Sequence, residues 1–316
     1  MTVSTNSATA PTSTTATPTS ATPTSATPPS ATPTSATPTS ATPTSTTRTI
    51  SLPSGLAVTI AEYGDPTAEP GTGVLLLHGG AGPRSMAGLA AGLSPHAYVV
   101  VPTHPGFDGT PRPEATDSVA DLAVAYLDLI DALGLHGVLV IGSSLGGWIG
   151  TEMSLRDTRA RITALTLIDA VAITPPAGIE IADPAKLGPV RTGELAFHNP
   201  QFRINPATMS EQQRAGMAAN GRTQAIYSGV GYDPKLRGRL HRVTIPVLVL
   251  AGEQDGIVPL PYAHALAQSF PRATFQRIPA AGHFPHIEQP AAVFAAIGDF
   301  VTIQVRPDSQ VTPGRK

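Results

Sequence analysis

After Arg48 the chain alternates short β-type runs with helical stretches, and that alternation admits few architectures, chiefly a parallel sheet covered by helices on both faces. Strands are expected at residues 57–63, 73–78, 97–102, 137–142, 163–169, 246–251 and 274–278. Val119, Leu122, Tyr126, Ile130 and Leu133 then recur at spacings of three and four behind Thr116 and Asp117, so one helical face is apolar behind a good N-cap, and Gly134 ends it. Pro290 opens a last helix whose Val293, Phe294, Ile297 and Phe300 line one face. The stretch 170–245 breaks the alternation: it is rich in proline and has no clear strand. A connection that long is rarely structureless. It reads as a mostly helical cap insertion, about residues 172–242, over one edge of the sheet.

Residues 1–47 are almost entirely Ser, Thr, Ala and Pro, with a repeating S-A-T-P-T unit. Such a segment has no apolar face to bury, and its prolines block helix and sheet ladders. It should be an extended, disordered tail rich in polyproline II: a spacer, a platform for O-linked modification or, most simply, a dispensable extension. One folding unit is then expected over 48–303, with a short C-terminal tail at 304–316.

Apolar residues make up 41% of the chain, enough for a substantial core. With a net charge of −2, 13% charged residues and no basic stripe, nucleic acid is not an expected partner. The absence of cysteine excludes disulfides, thiolate metal sites and a Cys nucleophile. The longest apolar runs, such as 74–77 and 247–251, fall far short of the ~20 residues of a membrane-spanning helix. The N-terminus lacks the basic and apolar regions of a signal peptide, so a cytoplasmic location is expected, with export by another route left open. Nothing in the sequence speaks to oligomeric state.

Four motifs carry chemistry. Gly142-Ser143-Ser144-Leu145-Gly146 follows the strand run Val138-Leu139-Val140-Ile141 and precedes a helix. Small residues at 142 and 146 permit a tight turn that lifts the Ser144 hydroxyl out of the sheet toward the new helix's amides. His78-Gly79-Gly80-Ala81-Gly82-Pro83 follows another strand, and its glycines let backbone amides approach a ligand, as in an oxyanion hole; a plain glycine loop would read the same way in isolation. The third and fourth are the loop holding Asp255 after residues 246–250 and the run Gly282-His283-Phe284-Pro285-His286. In an open parallel sheet, ligands bind beyond the carboxyl ends of the strands, where an Asp and a His can converge on Ser144.

On these motifs and their order, residues 49–301 resemble the α/β-hydrolase superfamily. The resemblance implies a mainly parallel eight-stranded sheet flanked by helices, Ser144 as nucleophile, His283 as general base and Asp255 as orienting acid. It also implies oxyanion donors in the amides of Gly80 and Leu145, and no cofactor. Asp169, which ends the preceding strand, is the competing acid, since some relatives carry the carboxylate there; the loop and spacing of Asp255 favour it. Relatives that open epoxides or remove halide use Asp where this chain has Ser144.

Substrate contacts are expected from Gly79, Phe197 and Phe202. His104, where relatives often carry Asp before the Pro-Gly pair, either bonds within its own loop or faces the pocket. His283, His286 and Glu288 lie close in sequence, but no second ligand cluster accompanies them, so no metal site is expected. The reaction read first is hydrolysis of a small, uncharged carboxylic ester or lactone through an acyl-enzyme. Carbon–carbon bond hydrolysis, cofactor-free perhydrolysis and acyl transfer use the same residues, and a non-hydrolytic small-molecule binding protein is the rival of another class.

Overall fold

Val74 to Leu77 in one strand and Val138 to Ile141 in the next alternate between two apolar cores, and that alternation makes the sheet a central layer. The computed structural model describes residues 45–305; the tail readings for 1–44 and 306–316 lie outside the described residues. Eight strands, β1 (Thr46–Ser51), β2 (Ala57–Tyr63), β3 (Gly73–Leu77), β4 (Val99–Pro102), β5 (Val138–Ser143), β6 (Ile162–Ile168), β7 (Val247–Gly252) and β8 (Ala273–Ile278), form one sheet in the order β1-β2-β4-β3-β5-β6-β7-β8. β1 and β2 pair antiparallel, as do β2 and β4, and every other pairing is parallel.

The helices are α1 (Ala87–Leu93), α2 (Val119–Ala132), α3 (Leu145–Arg156), α4 (Pro184–Ala196), α5 (Glu211–Ser228), α6 (Leu260–Ala267), α7 (Pro285–Glu288) and α8 (Pro290–Phe300). Leu75, Leu77, Val138, Val140, Leu165 and Val249 pack on one face with Leu122 and Tyr126 of α2, Ile149 and Met153 of α3 and Leu266 of α6. Val74, Leu76, Ile141, Ile168 and Leu250 pack on the other with Leu89 of α1 and Val293, Ile297 and Phe300 of α8. With both faces covered, the edge beyond the strands' carboxyl ends is left for a site.

Two expectations need correction. The sheet begins inside the segment read as tail, with Thr46 and Thr47 paired to Glu62 and Ala61. β1 carries no apolar alternation because it is an exposed edge strand, held by backbone pairing and by Arg48, whose guanidinium donates to both Glu62 oxygens at 2.7 and 2.9 Å. The N-cap of α2 is Ser118 rather than Thr116 or Asp117: Ser118 Oγ accepts from Asp121 N–H at 3.2 Å and Asp121 Oδ2 from Ser118 N–H at 3.1 Å, a reciprocal cap worth about 1 kcal/mol.

Between β6 and β7 the chain forms α4, α5 and three 3-10 turns, with no strand among the described residues there. α5 docks through a polar stripe rather than an apolar one. Asn220 accepts from Asp108 N–H and donates to the Asp108 carboxylate, both at 2.9 Å; Thr223 donates to Gly106 O at 3.1 Å and Tyr227 to Pro105 O at 2.8 Å. Met217 and Ile226, apolar residues of the same helix, each stand 43% exposed. No helix among the described residues is long and apolar enough to cross a membrane.

Because β1 starts at Thr46, deletion of residues 1–44 should leave the melting temperature unchanged, whereas deletion through Ser51 should lower it by several degrees by stripping the edge from β2. Thermal melts of the two truncations check this.

Candidate active site

The turn between β5 and α3 is a single residue. Ser144 sits at φ 52°, ψ −117°, a left-handed conformation that costs a non-glycine residue about 1–3 kcal/mol. Its neighbours explain why the chain accepts it. A Cβ on Gly142 would collide with the Gly146 carbonyl, and one on Gly146 with the Leu77 carbonyl, so both glycines are required by close backbone approach. The Ser144 hydroxyl is thereby set at the positive end of α3. The loop after β3 presses against it from the side: a Cβ on Gly79 would lie 2.8 Å from Ser144 Cβ. The amides of Gly80 and Leu145 donate to no acceptor among the described residues, which leaves two N–H groups free beside the hydroxyl.

His283, five residues beyond the end of β8 by way of a turn, and Asp255, just beyond β7, meet over the same edge. The His283 ring donates from Nδ1 to Asp255 Oδ2 at 2.8 Å. Asp255 Oδ1 accepts from the amides of Ile257 and Val258 at 2.7 and 3.0 Å, so the carboxylate cannot swing away. With Nδ1 carrying the proton, Nε2 is the free lone pair. No hydrogen bond joins Ser144 Oγ to His283 among the described residues; contacts of this kind often close only when substrate binds. Asp169, the competing acid, makes no bond to His283. It is wholly buried, accepts from Gly252 N–H at 3.0 Å, and its carboxyl is pushed well above the usual carboxylate range by burial first and the Asp255 charge second.

The cap is stitched to both loops by backbone. Gly256 N–H donates to Leu195 O at 3.0 Å and His283 N–H to Ala196 O at 2.7 Å. Buried Glu288 accepts from Gly282 N–H at 2.6 Å and from Asn199 N–H at 2.7 Å. Its carboxylate is therefore occupied by amides. Among the described residues no group of three or more His, Asp or Glu side chains could hold a metal ion.

Of the expected substrate contacts, Gly79 adjoins Ser144, and Phe197 stacks on Phe284 at 5.1 Å, next to His283, and on Phe202 at 6.4 Å. His104 does not face a pocket. It is completely buried, its Nε2 donates to His78 O at 2.8 Å and its Nδ1 accepts from the Tyr126 hydroxyl at 2.5 Å. It in turn gives its backbone N–H to His78 Nε2 at 3.1 Å, while His78 Nδ1 donates to Gly79 O at 2.7 Å. The two rings stack 3.7 Å apart and clamp the glycine loop to β4. Sequence reading missed Gln224, whose carboxamide lies against Gly80 so closely that a Cβ there would strike it. Only the docking of α5 brings it there.

The match to the alpha/beta hydrolase family model covers residues 74–297, well over half of the chain, and the chain belongs to that family. It is 26% identical to a 2-hydroxy-6-oxo-6-(2'-aminophenyl)hexa-2,4-dienoic acid hydrolase of Metapseudomonas resinovorans, over 71% of this chain and 81% of the relative. It is 26% identical to a 2-hydroxymuconate semialdehyde hydrolase of Pseudomonas putida, over 74% and 89%. Among solved structures, a thermophilic esterase from Thermogutta terrifontis superposes with a TM-score of 0.63 at 24% identity, covering 82% of this chain and 99% of that one. The chain is thus an alpha/beta hydrolase enzyme.

Burial holds His78 and His286 at about 4, and His104 well below the ordinary 6.5. For a histidine lowered on folding, the stabilising contribution is full above the unfolded value and is lost as pH falls below it, because the unfolded chain then binds protons the native state refuses. Unfolding free energy should therefore drop from pH 6.5 to 4, roughly 3 kcal/mol for each histidine held near 4. Urea melts across that range check the slope; stability that is flat there would refute the buried neutral histidines.

Proposed function

We propose that the enzyme is a serine hydrolase that cleaves a small, uncharged carboxylic ester or lactone through an acyl-enzyme on Ser144. The observation that carries this is the His283 Nδ1 to Asp255 hydrogen bond, formed on two loops at the sheet edge where the strained elbow presents Ser144. His283 Nε2 takes the Ser144 proton as Oγ attacks the acyl carbon, and Asp255 holds the ring in the tautomer that can do so. The free amides of Gly80 and Leu145 receive the developing oxyanion, an effect worth about 3 kcal/mol per donor. The protonated His283 then passes its proton to the leaving alkoxide. Water, deprotonated by the same ring, releases the acid and restores Ser144.

The preference for an uncharged acyl group is supported by what surrounds the elbow. Phe197, Phe202 and Phe284 form an aromatic wall beside His283, and the polar cap group against Gly80 is the neutral carboxamide of Gln224. Three of the cap cations are paired with carboxylates: Lys186 with Asp183, Arg191 with Glu194, and Arg239 with Asp233 and with Glu152 of α3. A second reading is carbon–carbon bond hydrolysis of a carboxylate-bearing dienoate; one relative is named as a hydrolase of a dienoic acid and the other as a hydrolase of 2-hydroxymuconate semialdehyde. Arg203, whose guanidinium donates to Phe197 O at 3.0 Å, is a cation beside that aromatic wall.

A fluorophosphonate should label the wild type and leave Ser144→Ala unlabelled, with turnover lost by about a thousandfold or more and the fold retained. Labelling that survives the substitution, or turnover within a few-fold of wild type, would end the serine-hydrolase reading. For the substrate class, kcat/KM for matched neutral and carboxylate-bearing esters should favour the neutral one and be insensitive to salt. A preference for the anion that collapses with added salt and with Arg203→Ala would favour the dienoate reading.

A further inference from the structure

Asp169 leaves β6 at φ 43° with its side chain at 0% exposure. Its Oδ1 accepts from Gly252 N–H at 3.0 Å, and its Oδ2 is buried with no donor to accept from. Gly252 ties this carboxyl to Asp255: its N–H donates to Asp169 Oδ1 and its carbonyl accepts from the Asp255 N–H at 3.2 Å, and the Asp255 charge acts on the Asp169 carboxyl. If both groups were ionised they would only repel, and one of them would be a charge sealed from water with a single amide for a partner.

Among the described residues no cation pairs with the Asp169 carboxyl. Glu288 approaches from α7 and is itself acidic, His283 gives its Nδ1 proton to Asp255, and His286 is held neutral. One proton resolves the orphaned oxygen and the repulsion together.

We propose that Asp169 is a neutral carboxylic acid in the working enzyme, donating from Oδ2 to the Asp255 carboxylate and so acting as a positioning residue for the acid that orients His283. Asp255 then has four donors: the amides of Ile257 and Val258, the His283 ring and Asp169. The arrangement disperses the Asp255 charge without placing a second negative charge beside His283. Burial and the neighbouring acid both push the Asp169 proton affinity in the direction this requires. The role rests on the serine-hydrolase reading of Ser144 and His283; the protonation state does not.

Asp169→Asn is the decisive variant, because its carbonyl can accept from Gly252 and its amide can donate to Asp255, reproducing the acid but not the carboxylate. The expected result is kcat/KM within a few-fold of wild type, with the acid limb of its pH profile unmoved. Asp169→Leu, which keeps the branched outline but has no donor, should lower kcat by an order of magnitude or more with little change in KM and move that limb to higher pH, since an undispersed Asp255 charge makes His283 more basic.

Stability gives a readout independent of turnover. An acid whose proton affinity rises on folding contributes stability that is full below its unfolded value and is lost as pH climbs. The Asn variant lacks that loss. Its melting temperature should match wild type near pH 4 and exceed it by a growing margin toward pH 8. An Asn variant whose acid limb moves to lower pH, or which is less stable than wild type at neutral pH, would show that Asp169 carries charge and overturn the proposal. So would a severe loss of turnover in Asp169→Ala with little loss in Asp255→Ala. If Ser144 fails to react with a fluorophosphonate but the Asn variant still gains stability with pH, the catalytic reading fails and the neutral acid stands.

Discussion

The backbone contact between the Gly146 segment and the Leu77 carbonyl is the constraint on which the site depends. β3 and β5 are adjacent and parallel, in register from Gly73 opposite Val138 to Leu77 opposite Gly142. The strand that ends in the glycine loop and the strand that ends in the elbow therefore arrive side by side. A side chain at 146 would strike the Leu77 carbonyl, and one at 142 would strike the Gly146 carbonyl of the elbow itself. Ser144 takes up the resulting strain, and the surrounding sheet, buried on both faces, is what makes the strained conformer the only available one. The free amides of Gly80 and Leu145 follow from the same register: one opens the loop after β3 and the other opens the helix after β5.

The cap is bound by a different kind of force. α5 is fixed to residues 105–108 by directed hydrogen bonds from Asn220, Thr223 and Tyr227, and the end of α4 is fixed to the Asp255 and His283 loops by backbone bonds at Leu195 and Ala196. Directed bonds set one orientation where apolar contact would tolerate sliding. They also join the placement of His283 to that of Phe197, one residue after the carbonyl that accepts the His283 amide. Movement of the cap would thus move the base and the aromatic wall together.

These two forces explain what the sequence disclosed. Six parallel strands and the helices that cover them follow from apolar periodicity because both faces are buried. The elbow and the His283 and Asp255 loops were readable from glycine and proline punctuation at strand ends. β1 was not, because an exposed edge strand needs only backbone pairing and Thr46 to Arg48 carry no apolar signal. Gln224 and the stripe of Asn220, Thr223 and Tyr227 were not, because a helix docked through polar groups looks in sequence like a solvated one. His104 was left between two readings for want of its partners: the Tyr126 hydroxyl lies on α2 and the His78 carbonyl on the β3 loop, neither near it in sequence.

The titratable groups around Ser144 share one property. His78 and His104 are locked neutral by burial and by hydrogen bonds that use both ring nitrogens, and His286 is neutral by burial. Glu288 is held by the amides of Gly282 and Asn199. On the reading proposed here Asp169 is neutral as well. His283, hydrogen-bonded through Nδ1 to Asp255, is then the proposed proton acceptor beside Ser144. In the proposed mechanism the proton drawn from Ser144 passes to His283, in a low-dielectric interior that strengthens its attraction to Asp255. The electrostatic change of that reaction would then lie along the line from Ser144 to Asp255. The two free amides and the N-terminus of α3 are already aimed at that line.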